Sequence, residues 1–100
     1  MDEYQDVIEQ LKNQKPEALI VFGSYAWGKP HKDSDLDIMM VKKTAVRSHI
    51  ERIRQAHRPL RTSCAVDVLV LTPEEAKIYQ KKYSFYRDIF ENGKLIYGRV

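Results

Sequence analysis

The chain has 100 residues, which suits one globular domain with one core, so residues 1–100 are treated as a single domain. Hydrophobic residues make up 43% of the sequence and charged residues 31%, and this composition excludes a disordered chain. The net charge of +3 suits phosphate-rich ligands but is too small to indicate a nucleic-acid partner, and a solvated basic surface is the simpler explanation.

The first half of the chain predicts a helix, a strand, a short helix and a second strand. Residues 2–14 carry apolar side chains at helical spacing, and a Lys-Pro pair ends this helix. The continuous apolar run Ala18–Phe22 predicts a strand buried on both faces, followed by a glycine. Residues 24–28 leave room for only one or two helical turns, and Leu36–Val41 predicts the second strand.

The middle of the chain predicts a basic helix that ends near Arg58. Thr44 can cap it, and its apolar positions recur at helical spacing. These positions are Val46, Ile50 and Ile53. The histidines and arginines of this helix, with Arg52 among them, are interpreted as a solvated face, with contact to RNA or to an acidic partner as the alternative.

The last third predicts a strand over residues 65–71, a long helix and a short final strand over residues 94–97. The long helix begins with a capping threonine, Thr72, then a proline and two acids, and it is expected to run to about Glu91. The order of elements therefore predicts an α/β or α+β domain, with helices flanking a small sheet.

Three aspartates fall on the predicted strands. Asp35 and Asp37 are one residue apart, so a strand places both carboxylates on one face, roughly 6 to 7 Å apart, where they can share hard cations such as Mg²⁺. Asp67 interrupts an otherwise apolar strand, where a carboxylate is costly unless it is paired or binds a cation. An acid paired at a sheet edge is the alternative, but together with the other two acids a third metal ligand is the better account.

Gly23 and Ser24 supply the complementary half of a site. A strand that ends in glycine and leads into a helix leaves backbone N–H groups and a serine hydroxyl free to hold a phosphate. The pattern of Gly23, Ser24, Asp35 and Asp37 with Asp67 resembles the nucleotidyltransferase superfamily typified by DNA polymerase beta. The compact size is similar to its minimal nucleotidyltransferase branch, and the resemblance covers essentially the whole chain.

The resemblance implies a polymerase beta-like fold with a small mixed sheet, and two Mg²⁺ ions on Asp35, Asp37 and Asp67. It also implies transfer of a nucleoside monophosphate, AMP from ATP, to a hydroxyl. Members of this branch often act as antitoxins of HEPN-domain ribonuclease toxins, some by adenylylating the toxin. We therefore expect a nucleotidyltransferase with a HEPN-type protein partner. The alternative is a non-catalytic binding module that neutralises its partner by contact.

Relatives commonly have a basic residue at the position of Trp27, where its positive charge would contact the triphosphate. Tryptophan does not supply that charge. Lys29, Lys32 or a partner could replace that charge, or Trp27 could stack on a base. Lys29 and Trp27 are accordingly predicted nucleotide-site residues. The alternative for Trp27 is a place in the core or in an interface.

The predicted last helix carries two neighbouring apolar stripes. One contains Tyr79, Tyr83, Tyr86 and Phe90, and the other contains Ile78, Phe85 and Ile89. One stripe suffices to cover the sheet, so the second makes this helix a surface for a protein partner or for a second copy of the chain. A single broad stripe facing the core is the alternative.

The only cysteine, Cys64, excludes an intrachain disulfide and a cysteine-based zinc cluster, and it favours a reducing compartment. No segment resembles a signal peptide, and no window approaches the roughly 18 apolar residues of a membrane span. The sequence therefore predicts a cytoplasmic protein without a membrane contact.

Overall fold

The computed structural model describes residues 3–28 and 35–100, and this part of the chain contains a four-stranded sheet with helices on both faces. The elements in chain order are α1 (Glu3–Lys12), β1 (Ala18–Phe22), α2 (Ser24–Trp27), β2 (Leu36–Val41), α3 (His49–His57), β3 (Val66–Leu71), α4 (Pro73–Lys82), α5 (Ser84–Asn92) and β4 (Lys94–Gly98). The strand order is β3-β2-β1-β4, with β1 antiparallel to β2 and β4, and β2 parallel to β3. The expected small mixed sheet flanked by helices is confirmed.

The sheet separates two apolar layers. On one face the larger cluster joins alternate residues of β1, β2 and β3 to α1 and to Ala56 of α3. On the other face a smaller cluster joins Ile20, Met39 and Leu71 to Ile89 of α5. Every residue of β1 is buried, as its continuous apolar run predicted. No helix in the described ranges is long and apolar enough to cross a membrane.

Helix α3 differs from its prediction. It begins at His49, and the side chain of Ser48 caps it by accepting from the backbone N–H of Glu51 at 3.2 Å. Thr44 instead accepts from the N–H of Val46 within the preceding loop, at 3.1 Å. The predicted cap was therefore wrong, and so was the predicted apolar stripe, because Ile50 is 63% exposed.

Arg52 takes the inward position that the sequence assigned to an apolar residue. Its side chain is 5% exposed, which corrects the expectation that it belongs to a solvated basic face. Its guanidinium donates to the Glu75 carboxylate at 2.6 Å and to the Val46 carbonyl at 2.6 Å. Partial burial alone would raise the pKa of Glu75. Two hydrogen bonds oppose this effect, one from the Thr72 N–H and one from Arg52, and the positive charge of Arg52 adds to them. The net result is a pKa below the usual value. Arg52 and Glu75 thus form a partly buried ion pair that links α3 to α4.

Hydrogen bonds of the His57 side chain connect the end of α3 to β3, an edge strand of the sheet. Its Nδ1 lies 2.7 Å from the Ile53 carbonyl, and its Nε2 lies 3.3 Å from the N–H of Val68, which donates to it. The same Nε2 lies 3.1 Å from the Val66 carbonyl. The histidine therefore satisfies a backbone donor of an edge strand, and this role corrects its assignment to a solvated face.

The predicted long last helix is two helices that meet at Tyr83, a residue with extended backbone angles. The break leaves carbonyls at the end of α4 without intrahelical partners. Arg87 of α5 donates to two of them, the Gln80 carbonyl at 3.2 Å and the Lys81 carbonyl at 2.6 Å. After the break, Phe85 of α5 contacts Phe22 at the end of β1, with 6.2 Å between ring centroids.

Candidate functional site

The strand register brings the predicted site residues to one end of the sheet. Phe22, the last residue of β1, is opposite Asp37 on β2, and Asp37 is opposite Asp67 on β3. Gly23 directly follows Phe22, and Asp35 directly precedes β2. Because neighbouring strands lie about 4.8 Å apart, the segment from Gly23 to Asp67 spans roughly 10 Å. The face that carries Asp37 and Asp67 is the one that α4 and α5 cover further along the strands.

The three carboxylates form a negatively charged cluster. Burial raises the pKa of Asp37, and the neighbouring Asp67 and then Asp35 raise it further by repulsion. A bound cation would relieve this repulsion, so the oxygen donors fit a hard ion such as Mg²⁺. Within residues 3–28 and 35–100, no three acidic, histidine or cysteine side chains already form a cage for an ion. Mg²⁺ does not need one, since it keeps several waters and usually takes one or two carboxylates together with substrate phosphates.

Gly23 allows the Asp37 carboxylate to lie directly against the backbone. Its φ of 74° and ψ of −153° form a backbone conformation that residues other than glycine rarely adopt. A Cβ added there would also overlap Oδ2 of Asp37. The Gly23 carbonyl accepts from the N–H groups of Ala26 and Trp27, both at 3.0 Å, and so starts α2. Gly23 therefore connects the end of β1 to α2, and its backbone packs directly against the Asp37 carboxylate.

We expect Gly23→Ala to lower the free energy of unfolding by about 1 to 3 kcal/mol, because alanine rarely adopts this backbone conformation. The new methyl group would also push the Asp37 carboxylate away, so Mg²⁺-dependent nucleotide binding should weaken. Chemical denaturation and calorimetric titration with Mg·ATP measure the two effects. Gly28→Ala is the matched control, because its Cβ would meet only the Ser24 carbonyl at an ordinary 3.8 Å. Equal effects of the two substitutions would contradict the close contact at Gly23.

Trp27 ties α2 to the far end of α5. Its Nε1 donates to the Asn92 carbonyl at 2.8 Å, and its ring centroid lies 6.5 Å from that of Phe22. Even so, 49% of the side chain is exposed, so one surface of the indole is available for a ligand or a partner. Ser24 is exposed at the start of α2, beside Gly23. Lys29 and Lys32, the predicted replacements for the missing positive charge, lie outside the described residues.

Aromatic side chains line a pocket on the β3 side of the aspartates, with a volume of about 290 Å³. We call it the tyrosine pocket, and its lining residues are His49, Ile53, Leu69, Val70, Tyr79, Tyr83 and Tyr86. Tyr79 stacks on His49 with 6.1 Å between ring centroids, and it meets Tyr83 edge to face at 5.2 Å. Sequence reasoning found the tyrosine stripe but missed the pocket, because its walls come from separate helices.

A larger cavity, of about 530 Å³, lies at the opposite end of the sheet. Val41, Ala76 and Phe90 contribute to its walls, and none of the three aspartates does. The antiparallel register explains the separation, since Val41 is opposite Ala18 at the start of β1 whereas Asp37 is opposite Phe22 at its end. The larger cavity is therefore separate from the predicted site residues.

Comparisons with known proteins found one family model and several similar structures. A family model described as "Polymerase beta, Nucleotidyltransferase" matches residues 5–100. A crystal structure of a candidate nucleotidyltransferase from Sulfolobus solfataricus is similar to the chain, with a TM-score of 0.66, 24% sequence identity, and coverage of 97% of this chain and 78% of that one. No curated protein matches the sequence.

Two further structures come from toxin-antitoxin pairs. One is a MntA-HpeT mutant with two Asp-to-Glu changes at positions two residues apart, at a TM-score of 0.59. The other is a toxin-antitoxin with AMP-PNP, at a TM-score of 0.55. Each is 20% identical to this chain and covers 99% of it and 75% of its own chain. At these identities the likeness demonstrates a shared fold.

Proposed function

The chain belongs to the polymerase beta nucleotidyltransferase family, as the spacing of its glycine, serine and aspartates indicated, and we propose that it transfers AMP from ATP to a hydroxyl group of a partner protein. One observation carries the proposal. The register of three adjacent strands brings a glycine turn and a cluster of carboxylates to the same end of the sheet. A phosphate-binding turn next to a cation-binding cluster is what phosphoryl-group chemistry requires.

Each part of the site has a role in the proposal. The Gly23 turn and the Ser24 hydroxyl hold the outer phosphates of ATP, with Lys29 as a further phosphate contact. Asp35, Asp37 and Asp67 would hold two Mg²⁺ ions, which neutralise phosphate charge and favour ionisation of the attacking hydroxyl when bound. The exposed surface of Trp27 lies beside the phosphate turn, where it could stack on the base.

The reaction exchanges one bond to phosphorus for another. The acceptor oxygen forms a bond to the α-phosphorus, and the bond from that phosphorus to the oxygen bridging to the β-phosphate breaks. Pyrophosphate leaves with the electron pair, and the hydroxyl proton passes to Asp67 or to water. Gly23 and Ser24 hold the leaving group, so their position sets the direction from which the acceptor must approach.

The toxin-antitoxin neighbours support a protein acceptor and an antitoxin role for this chain. One of those proteins was altered at two aspartates two residues apart, which is the spacing of Asp35 and Asp37, and another was studied with an ATP analogue. We take the acceptor to be a HEPN-type toxin and the site of action to be the cytoplasm. A second copy of the chain on the exposed side chains of α4 and α5 stays a prediction.

A contact-only binding module is the second candidate, and the exposed aromatic residues favour it. Trp27, Tyr83 and Phe85 are 49%, 43% and 56% exposed, and aromatic side chains of this kind are enriched in protein interfaces. In this case the partner would be neutralised without ATP. The two candidates share a surface and differ in their need for a nucleotide and Mg²⁺.

Labelled ATP decides between them. The purified chain is incubated with the product of the adjacent gene, α-³²P-ATP and Mg²⁺, and the labelled proteins are separated by electrophoresis. We expect label on the partner that depends on Mg²⁺, and a change in the fluorescence of Trp27, the only tryptophan, when Mg·ATP binds. A stable complex that neutralises the partner with no label and no fluorescence change would establish the contact-only module instead.

A further inference from the structure

The direction of the proposed reaction assigns the two sides of the site to different substrates. The attacking and leaving oxygens of phosphoryl-group transfer lie roughly in line on opposite sides of the phosphorus. With the leaving pyrophosphate at Gly23 and Ser24, next to β1, the acceptor must approach from the side of β3. Asp67 is the carboxylate on that side.

The tyrosine pocket lies on this side of the sheet, because Leu69 and Val70 of β3 form part of its wall. Leu69, which forms part of its wall, is two residues after Asp67 on β3, so both side chains point to the same face, about 6 to 7 Å apart along the strand. Tyr83 also lines the pocket and is 43% exposed, whereas Tyr79 and Tyr86 are partly buried against the core. The pocket is therefore continuous with the sheet face that carries the carboxylates.

We propose that the tyrosine pocket is the acceptor subsite, and that it takes one uncharged aromatic or branched aliphatic side chain next to the accepting hydroxyl of the partner protein. This inference rests on the proposed transferase function. The lining is apolar or aromatic apart from His49, whose ring lies 3.5 Å from the Glu75 carboxylate. With about 290 Å³, the pocket is at the lower limit of small-molecule sites, a size for one ring or one branched side chain.

The surroundings of the pocket favour a protein over a free small molecule. Phe85 is 56% exposed and meets Tyr86 with 5.1 Å between ring centroids, so an exposed aromatic surface leads into the pocket. Such surfaces form the centre of protein interfaces, where a side chain inserts into a pocket and its neighbours exclude water. A nucleobase is the competing occupant, and the proposed function places it instead on the exposed surface of Trp27, beside the phosphate turn.

Methyl and amide NMR of the full chain tests the assignment with two probes, p-cresol as an uncharged aromatic ring and adenosine as a nucleobase. We expect p-cresol to shift the methyl signals of Ile53 and Leu69 but not that of Leu11 on the opposite face. The affinity should be the same with and without saturating Mg·AMP-PNP. Tyr83→Ala should weaken p-cresol binding roughly threefold to tenfold, and Ile78→Ala, an exposed change on α4 outside the pocket, should not weaken it.

Three results would overturn the proposal in distinguishable ways. If p-cresol leaves the pocket signals unchanged while Mg·ATP shifts the amide signals of Gly23 and Ser24, the acceptor subsite is refuted and the transferase function stands. If adenosine or the nucleotide analogue displaces p-cresol, the pocket belongs to the donor base. If Mg·ATP shifts neither amide, the transferase function fails and the acceptor role fails with it.

Discussion

Asp37→Asn is expected to reduce nucleotide transfer by roughly a thousandfold, since stabilisation of charge by a metal ion contributes several kcal/mol to such reactions. Asp37 is the central carboxylate of the site, opposite Asp67 on one side and next to Gly23 on the other. Asparagine keeps the shape of the side chain but removes the charge that attracts a cation. The rate of label transfer, measured at saturating Mg·ATP and partner, gives the effect directly.

The same substitution should leave the free energy of unfolding unchanged or higher. Burial and the neighbouring carboxylates raise the pKa of Asp37, which means that the folded state disfavours its charged form. The charged carboxylate therefore lowers the free energy of unfolding at pH values above this raised pKa. Asparagine carries no charge, so the variant does not have this cost. A large loss of activity without a loss of stability separates a functional residue from a structural one.

Asp88→Asn is the matched control for Asp37→Asn. Asp88 is exposed on α5 and accepts from the Asn92 side chain at 2.6 Å, a bond that an asparagine oxygen can keep. We expect little change in either transfer or stability. Transfer by Asp37→Asn at a rate close to that of the wild type would refute the catalytic role of the cluster. A large loss of stability would show that Asp37 holds the fold.

The sequence predicted the centre of the fold well because its signals are local there. The apolar run of β1 ends at a glycine, and β2 begins directly after Asp35 and carries Asp37 as its second residue, so both strands have the predicted bounds. The proximity of Asp37 and Asp67 could also be anticipated, since β2 and β3 both lie in one small sheet. The strand order and register that make them direct neighbours required the structure.

The sequence failed where distant partners decide the local structure. No glycine or proline marks the break at Tyr83, and the carbonyls that it frees are satisfied by Arg87 from the next helix. Nothing local distinguishes Arg52 from Arg54, the exposed arginine of α3, except its partner Glu75, which is 23 positions along the chain. The tyrosine pocket likewise depends on how α3 and the two last helices meet at β3.

Arg52→Ala is expected to lower the free energy of unfolding by about 3 kcal/mol, because it leaves the Glu75 carboxylate partly buried without its cation. The Val46 carbonyl also loses its donor, and the arginine stem leaves a gap in the packing. For a domain of this size, the change corresponds to a drop of roughly 10 to 20 °C in the melting temperature. Thermal and chemical denaturation at neutral pH measure it.

The effect of Arg52→Ala should depend on pH in a direction that identifies its cause. The folded state lowers the pKa of Glu75 from its usual 4.5, so this group stabilises the wild type above that pH and loses its contribution as pH falls through the lowered pKa. In the variant, the unpaired carboxylate is neutralised by protonation at low pH. The stability difference between wild type and variant should therefore be largest at neutral pH and shrink below about 4.5.

Arg54→Ala is the control that makes the comparison decisive. Arg54 is on the same helix with its side chain 67% exposed, and its contact to Glu51 spans 3.6 Å, so its removal should cost less than about 1 kcal/mol. If the two alanine variants were equally stable, the link between α3 and α4 would contribute nothing and Arg52 would be one more surface charge. If Arg52→Ala alone is destabilised and the difference persists at low pH, the lost packing of the arginine stem is the cause instead of the ion pair.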